Sequence, residues 1–163
     1  MSIQARQATG LIVTDVPGGS LLHPIVLAAI ASFVVNDHVL KAAYPGLLTG
    51  KLSDVTGLIF FPVLIAAVAE LITPAAHRHA AAILILAVVV TGLTYVAMLL
   101  VPVGGDGYRW FIGLVQWPFR IVAATAAGAP LPGVAPVRFA ADPTDLITLP
   151  ALLVPLWIAM RGR

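Results

Sequence analysis

The sequence predicts an all-α integral membrane protein, a single-domain bundle of five helices, and three observations carry that prediction. Hydrophobic residues make up 60% of the 163 and charged residues 10%, where a soluble domain carries about 25% charged. The mean hydropathy is +1.03. The run from Ala80 to Gly105 contains no charged side chain. About 20 apolar residues at a helical rise of ~1.5 Å cross the hydrocarbon core of a bilayer, and a soluble domain seldom buries a helix that is apolar on every face for so long.

The elements follow in order. Residues 1–20 form an N-terminal tail in which Arg6 is the sole basic residue and Leu11 to Val13 is too short a run for a signal peptide. The first span is expected over about 21–40, with Pro24 near its start and Pro45 and Gly46 after it. The second is expected over 54–73, with Ser53 as N-cap, Asp54 in the first turn and Pro62 at a mid-span kink. His77, Arg78 and His79 make a polar turn, and the third span covers 80–101, ended by Pro102, Gly104 and Gly105.

The fourth helix, 108–128, combines a stripe of Arg109, Gln116 and Arg120 with Trp110, Trp117 and Phe119. That mix suits an interfacial helix or a span whose stripe faces the bundle. It is taken as a span, because that placement gives Arg120 an acidic partner in Glu70. Pro130, Pro132, Gly133 and Pro136 make a stiff loop. Asp142-Pro143-Thr144-Asp145 then opens the fifth helix, 144–160, kinked by Pro150 or Pro155. With five spans, Lys41, Lys51, Arg109, Arg161 and Arg163 fall on one side and Arg6, Arg78 and Arg138 on the other. The excess marks the first side, with the C-terminus, as cytoplasmic. With four spans the counts nearly balance. Ser53–Leu58 and Thr144–Leu149 also resemble each other, as in a duplicated or simply twice-capped pattern.

Net charge is +2, with basic residues scattered singly, so no nucleic-acid face is present. The absence of cysteine removes disulfides, thiolate metal sites and cysteine nucleophiles. No nucleophile elbow, zincin helix, dinucleotide fingerprint or haem motif occurs, and no cofactor is expected. His77 and His79 lack a third ligand, so no metal site is expected either.

Three groups of residues stand out as candidate sites. Asn36, Asp37, His38, Lys41, Lys51, Ser53 and Asp54 concentrate polarity around the first loop. Asp37 and Lys41 are spaced for an i, i+4 pair, and Thr49-Gly50-Lys51 ahead of a helix could hold an anion. Glu70 and Arg120 form a candidate intramembrane pair. Asp142, Thr144 and Asp145 form a helix-start cluster that capping alone explains. His38 lies one turn from the end of the first span, and His23 is expected in the membrane interface.

Asn36-Asp37, Leu40-Lys41, Leu48-Thr49-Gly50-Lys51-Leu52-Ser53-Asp54 and Pro62, with Asp142-Pro143-Thr144-Asp145-Leu146 as a second element, resemble a group of small, uncharacterised bacterial polytopic membrane proteins. A looser likeness links the Asp-led helix starts to VanZ-type membrane proteins. The resemblance implies a multi-pass fold in a cell membrane and no activity. The functional expectation is a non-catalytic accessory or binding component of a membrane assembly, whose partners are the bilayer and other subunits or a second copy. The alternatives are a small ion-coupled transporter using Glu70 and Arg120, or an interfacial binder or enzyme acting on lipid headgroups or phosphate through the Asp37–Asp54 loop.

Overall fold

The computed structural model describes residues 16–161. Expectations for the tail before Val16, including Arg6, and for Arg163 lie outside the described residues. Among the described residues every regular element is helical, and five helices form. Four of them, over Pro24–Ala43, Leu47–Ile72, Ala75–Leu100 and Pro143–Arg161, are long and apolar enough to cross a membrane.

Helix α1 (Pro24–Ala43) starts later than expected. Gly19–Leu22 makes a separate 3-10 turn, and His23 is extended at ψ 131°. The residue before proline is pushed out of the helical region, so the chain cannot run helically from Leu21 into Pro24. Pro24 then occupies the first helical position, where its missing N–H costs nothing. The His23 ring Nδ1 caps by accepting the Ile25 N–H at 3.3 Å.

Helix α2 (Leu47–Ile72) starts earlier than expected, so Ser53 is an interior residue and not an N-cap. Thr49 explains the early start. Its hydroxyl donates to the carbonyls of Tyr44 and Gly46 at 3.1 and 3.0 Å, and the Gly50 N–H closes onto Gly46 at 3.1 Å. Thr49-Gly50-Lys51 therefore lies in the first turns of the helix and not in a loop ahead of it. The helix continues through Pro62, whose side chain is fully buried. A 3-10 turn, Pro74–His79, leads into α3 (Ala80–Leu100).

Helix α4 (Pro102–Ala126) begins one residue after α3 and six before its expected start. Gly104 and Gly105 are helical residues here, not terminators. A Cβ on Gly104 would lie 2.3 Å from the Ala97 carbonyl oxygen, so glycine is what lets α4 begin against the end of α3. The helix is long, but its polar stripe keeps it out of the four apolar helices. It closes in a Schellman cap: Gly128 has φ 63°, Ala129 N–H bonds Ala124 O at 2.9 Å and Gly128 N–H bonds Thr125 O at 3.2 Å. Helix α5 (Pro143–Arg161) is wound as a 3-10 helix over Pro143–Leu152, through Pro150, and as an α-helix over Leu153–Arg161.

The chain forms two compact units, one from the residues up to Gly92 with those from Ile147 on, the other Leu93–Leu146. The core of the first is Val26, Val63, Ala66, Leu84, Ala87, Val88, Ile158 and Ala159. Three of the eight are alanines, the kind of small residue that lets helices approach closely in a membrane. Leu27, Val34, Leu64, Val68, Leu86 and Val89 point outward and are exposed. Large apolar side chains on the outside fit lipid as the solvent.

Candidate functional site

The clearest polar constellation joins the end of α1 to the start of α2. Residues Asn36–Leu40 of α1 are wound as a π turn, in which the Lys41 N–H reaches back five residues to Asn36 O. Such turns insert one extra residue and cluster at functional sites. Here the two consecutive side chains Asn36 and Asp37 both engage α2.

The bonds form one chain. Asn36 Nδ2 donates to the Thr49 carbonyl and to Ser53 Oγ, both at 2.7 Å. Ser53 Oγ donates onward to Asp37 Oδ1 at 2.6 Å. Lys41 Nζ meets the same oxygen at 2.8 Å. The chain runs from a wholly buried amide to a carboxylate and ammonium that are 33% and 41% exposed. Bonds in series polarise one another, and the low dielectric around Asn36 strengthens them. Asn36 Oδ1 is buried with no hydrogen-bond partner. Thr49 O can only accept, so it fixes the amide with Nδ2 toward α2.

Of the residues singled out from sequence, Asn36, Asp37, Lys41 and Ser53 meet in this chain. Lys51 and Asp54 stand half-buried on α2, each engaged within the protein. His38 is exposed. Thr49 belongs to the site and was missed as a structural hub, because the second helix was expected to start after it. Thr56, one turn on from Ser53, bonds back to the carbonyls of Leu52 and Ser53 at 2.7 and 3.2 Å.

A second cluster lies at the other end of α2. The Glu70 carboxylate is buried, and its Oε2 accepts the Gly18 N–H at 3.0 Å and faces His77 Nδ1 at 3.0 Å. Gly18 adopts φ 77° and rests against Ala67, a conformation that suits glycine. Close by in the chain, the buried His23 ring meets Trp157 edge-on at 6.0 Å, and Arg161 lies over the same indole at 4.3 Å. Arg120, the partner expected for Glu70, belongs to the other unit and donates to Gln116 Oε1 at 2.8 Å, one turn back on its own helix.

The unit Leu93–Leu146 has its own polar order. After the α4 cap the chain has no regular secondary structure, and residues 129–142 lie antiparallel along the face of α4 that carries Arg109, Gly113 and Trp117. Trp117 Nε1 donates to Pro132 O at 2.8 Å, Arg109 Nε donates to Val137 O at 3.1 Å, and Val137 N–H returns to Arg109 O at 3.1 Å. Tyr108 stacks near Phe139 at 4.9 Å. A Cβ on Gly113 would lie 2.1 Å from Ala135 O, so the strap sits directly on the helix backbone there. Arg109 also pairs with Asp106 at 3.2 Å, beside a cleft of about 280 Å³ lined by Met98, Pro102 and Phe139 among others. Asp142 starts α5 by accepting the Thr144 N–H at 2.9 Å, and Asp145 N–H bonds Asp142 O at 2.9 Å. Tyr95 donates to Asp145 O at 3.3 Å.

Among the described residues no three His, Asp or Glu side chains gather as a metal site. No family model, no curated protein and no solved structure matches this chain.

Proposed function

We propose that this chain is a small multi-pass membrane protein that serves as a non-catalytic binding component of a membrane assembly, with other subunits or a second copy as its partners. The observation that carries the reading is the chain Thr49–Asn36–Ser53–Asp37–Lys41. Asn36 and Ser53 spend their side-chain donors within it, stapling α1 to α2. Glu70 is spent in the same way on Gly18 and His77. Polar groups arranged like this rigidify a scaffold. The likeness of Leu48–Asp54 and Asp142–Leu146 to small bacterial membrane proteins belongs to the same proposal, as does a place in the cell membrane.

The test is cross-linking in native membranes followed by purification into nanodiscs. A stoichiometric partner or a defined oligomer supports the reading. A lone monomer with unchanged mass after cross-linking refutes it. A second reading, binding of an anionic headgroup or phosphate, draws on the exposed Lys41 ammonium with Lys51 on the adjoining helix. It predicts that Lys51→Ala weakens binding to vesicles containing anionic lipid. Unchanged binding removes it.

A further inference from the structure

We infer that α4 and its strap lie flat at the headgroup boundary of the bilayer and do not cross it, an inference that rests on the membrane reading above. The strap carries the argument. Leu131, Gly133, Val134, Ala135, Arg138, Ala140 and Ala141 are exposed, and the strap has no regular secondary structure. Hydrocarbon accepts non-helical backbone only where protein buries it or water reaches it, because every unsatisfied N–H or C=O there costs several kcal/mol. The strap lies on the face of α4 that carries Gly105, Arg109, Gly113 and Trp117, from its first turn past its midpoint. A spanning α4 would carry that exposed backbone into the bilayer core.

The other face of α4 requires the opposite solvent. Phe111, Leu114, Val115, Phe119 and Val122 are exposed on it. Water on the strap side and acyl chain on the other are both available only at the boundary. Trp110, Trp117 and Tyr108 have the ring-plus-polar-tip character enriched there. The connections agree. α3 ends at Leu100 and α4 starts at Pro102, so the preceding apolar helix delivers α4 directly to the membrane surface. The partner of this face is therefore the lipid surface itself. The chain then crosses four times, and the α1–α2 turn shares a side with the strap.

Two measurements test this on a chain without native cysteine. In the first, Gly46→Cys and Ala141→Cys are labelled separately with an impermeant maleimide in sealed vesicles. Labelling from the same side is expected, and labelling from opposite sides overturns the inference. In the second, nitroxides are placed through Phe111→Cys and Val122→Cys, both on the exposed apolar face. Their depths should agree within a few ångström. A spanning helix would separate them by about 16 Å, which overturns the inference. Leu114→Cys with Thr125→Cys repeats the comparison if either variant misfolds. Failure of the membrane reading itself looks different: the chain would leave carbonate-washed membranes and all four nitroxides would be fully open to an aqueous relaxant.

Discussion

Removing one hydroxyl at Ser53 separates a stapled α1–α2 pair from two helices that merely adjoin. Ser53→Ala deletes a single oxygen and creates almost no cavity, so packing stays constant. It removes a neutral bond from Asn36 at 2.7 Å and a charge-assisted bond to Asp37 at 2.6 Å. A neutral bond contributes about 1 kcal/mol net and one to a charged group about 1.5–3 kcal/mol. Two effects reduce the sum. Asp37 is 33% exposed, so water replaces part of the lost donor, and side-chain bonds between membrane helices average only ~0.6 kcal/mol. The expected cost is about 1.5–2 kcal/mol, a ten- to thirtyfold shift in the unfolding equilibrium. The assay is reversible unfolding in mixed SDS micelles. Ser53→Thr, which keeps the hydroxyl, should cost less than half as much. The double cycle with Asp37→Asn isolates the charged bond and should show a coupling near 1 kcal/mol. A coupling below about 0.3 kcal/mol would mean that the chain of bonds is decorative and that apolar packing alone joins the helices.

Two further predictions follow from the same structure. Gly113→Ala places a methyl 2.1 Å from Ala135 O, so the strap must lift. Hydrogen exchange and proteolysis over residues 129–142 should rise at least tenfold while the α1–α2 region stays protected, and an unchanged pattern would contradict the seating of the strap. His23 supplies a pH dependence. Burial holds its imidazole below the ordinary value of 6.5, and its ring nitrogen must stay unprotonated to cap α1, at a helix start where a cation is disfavoured. The unfolded chain therefore takes up the proton first, so stability is full above about pH 6.5 and falls as pH drops toward the folded value. His23→Asn keeps a capping acceptor without the titration. Melting from pH 8 to 5 should slope for the parent and flatten for this variant, and parallel curves would refute the assignment.

Helix number was legible because it depends on apolar run length, which the sequence displays directly. The helix starts were harder, since each misplaced start turns on one contact. Gly104 reads as a breaker until Ala97 is seen against it. Thr49 reads as loop until its hydroxyl is seen on Tyr44 and Gly46. The Asp37–Lys41 pair was readable from spacing alone, being local to one helix. The Asn36–Ser53 bond was not, because it depends on a π turn that no residue pattern announces. Glu70 was recognised as significant, yet its neighbours Gly18 and His77 come from a segment before α1 and from the turn after α2. The strap left one trace in the sequence, a glycine at 113 in the middle of an amphipathic helix.

The two polar clusters also bear on where α2 sits. Ser53 and Glu70 stand about 26 Å apart along the helix at ~1.5 Å per residue. Between them the polar side chains are Asp54, next to Ser53, and Thr56, whose hydroxyl is turned back onto its own backbone. A hydrocarbon core is about 30 Å thick. The uninterrupted apolar stretch, residues 57–69, is about 20 Å long, and it is flanked at one end by Asn36–Ser53–Asp37 and at the other by Gly18–Glu70–His77, as a helix needs if its polar contacts are to fall toward the two membrane surfaces. On this argument the clusters are registration points. Each fixes a neighbouring segment to α2 at the depth where water first becomes available. Moving either one turn inward, for example by exchanging Ser53 with Thr56, would place a charge-linked bond in lipid and should cost more than deleting it.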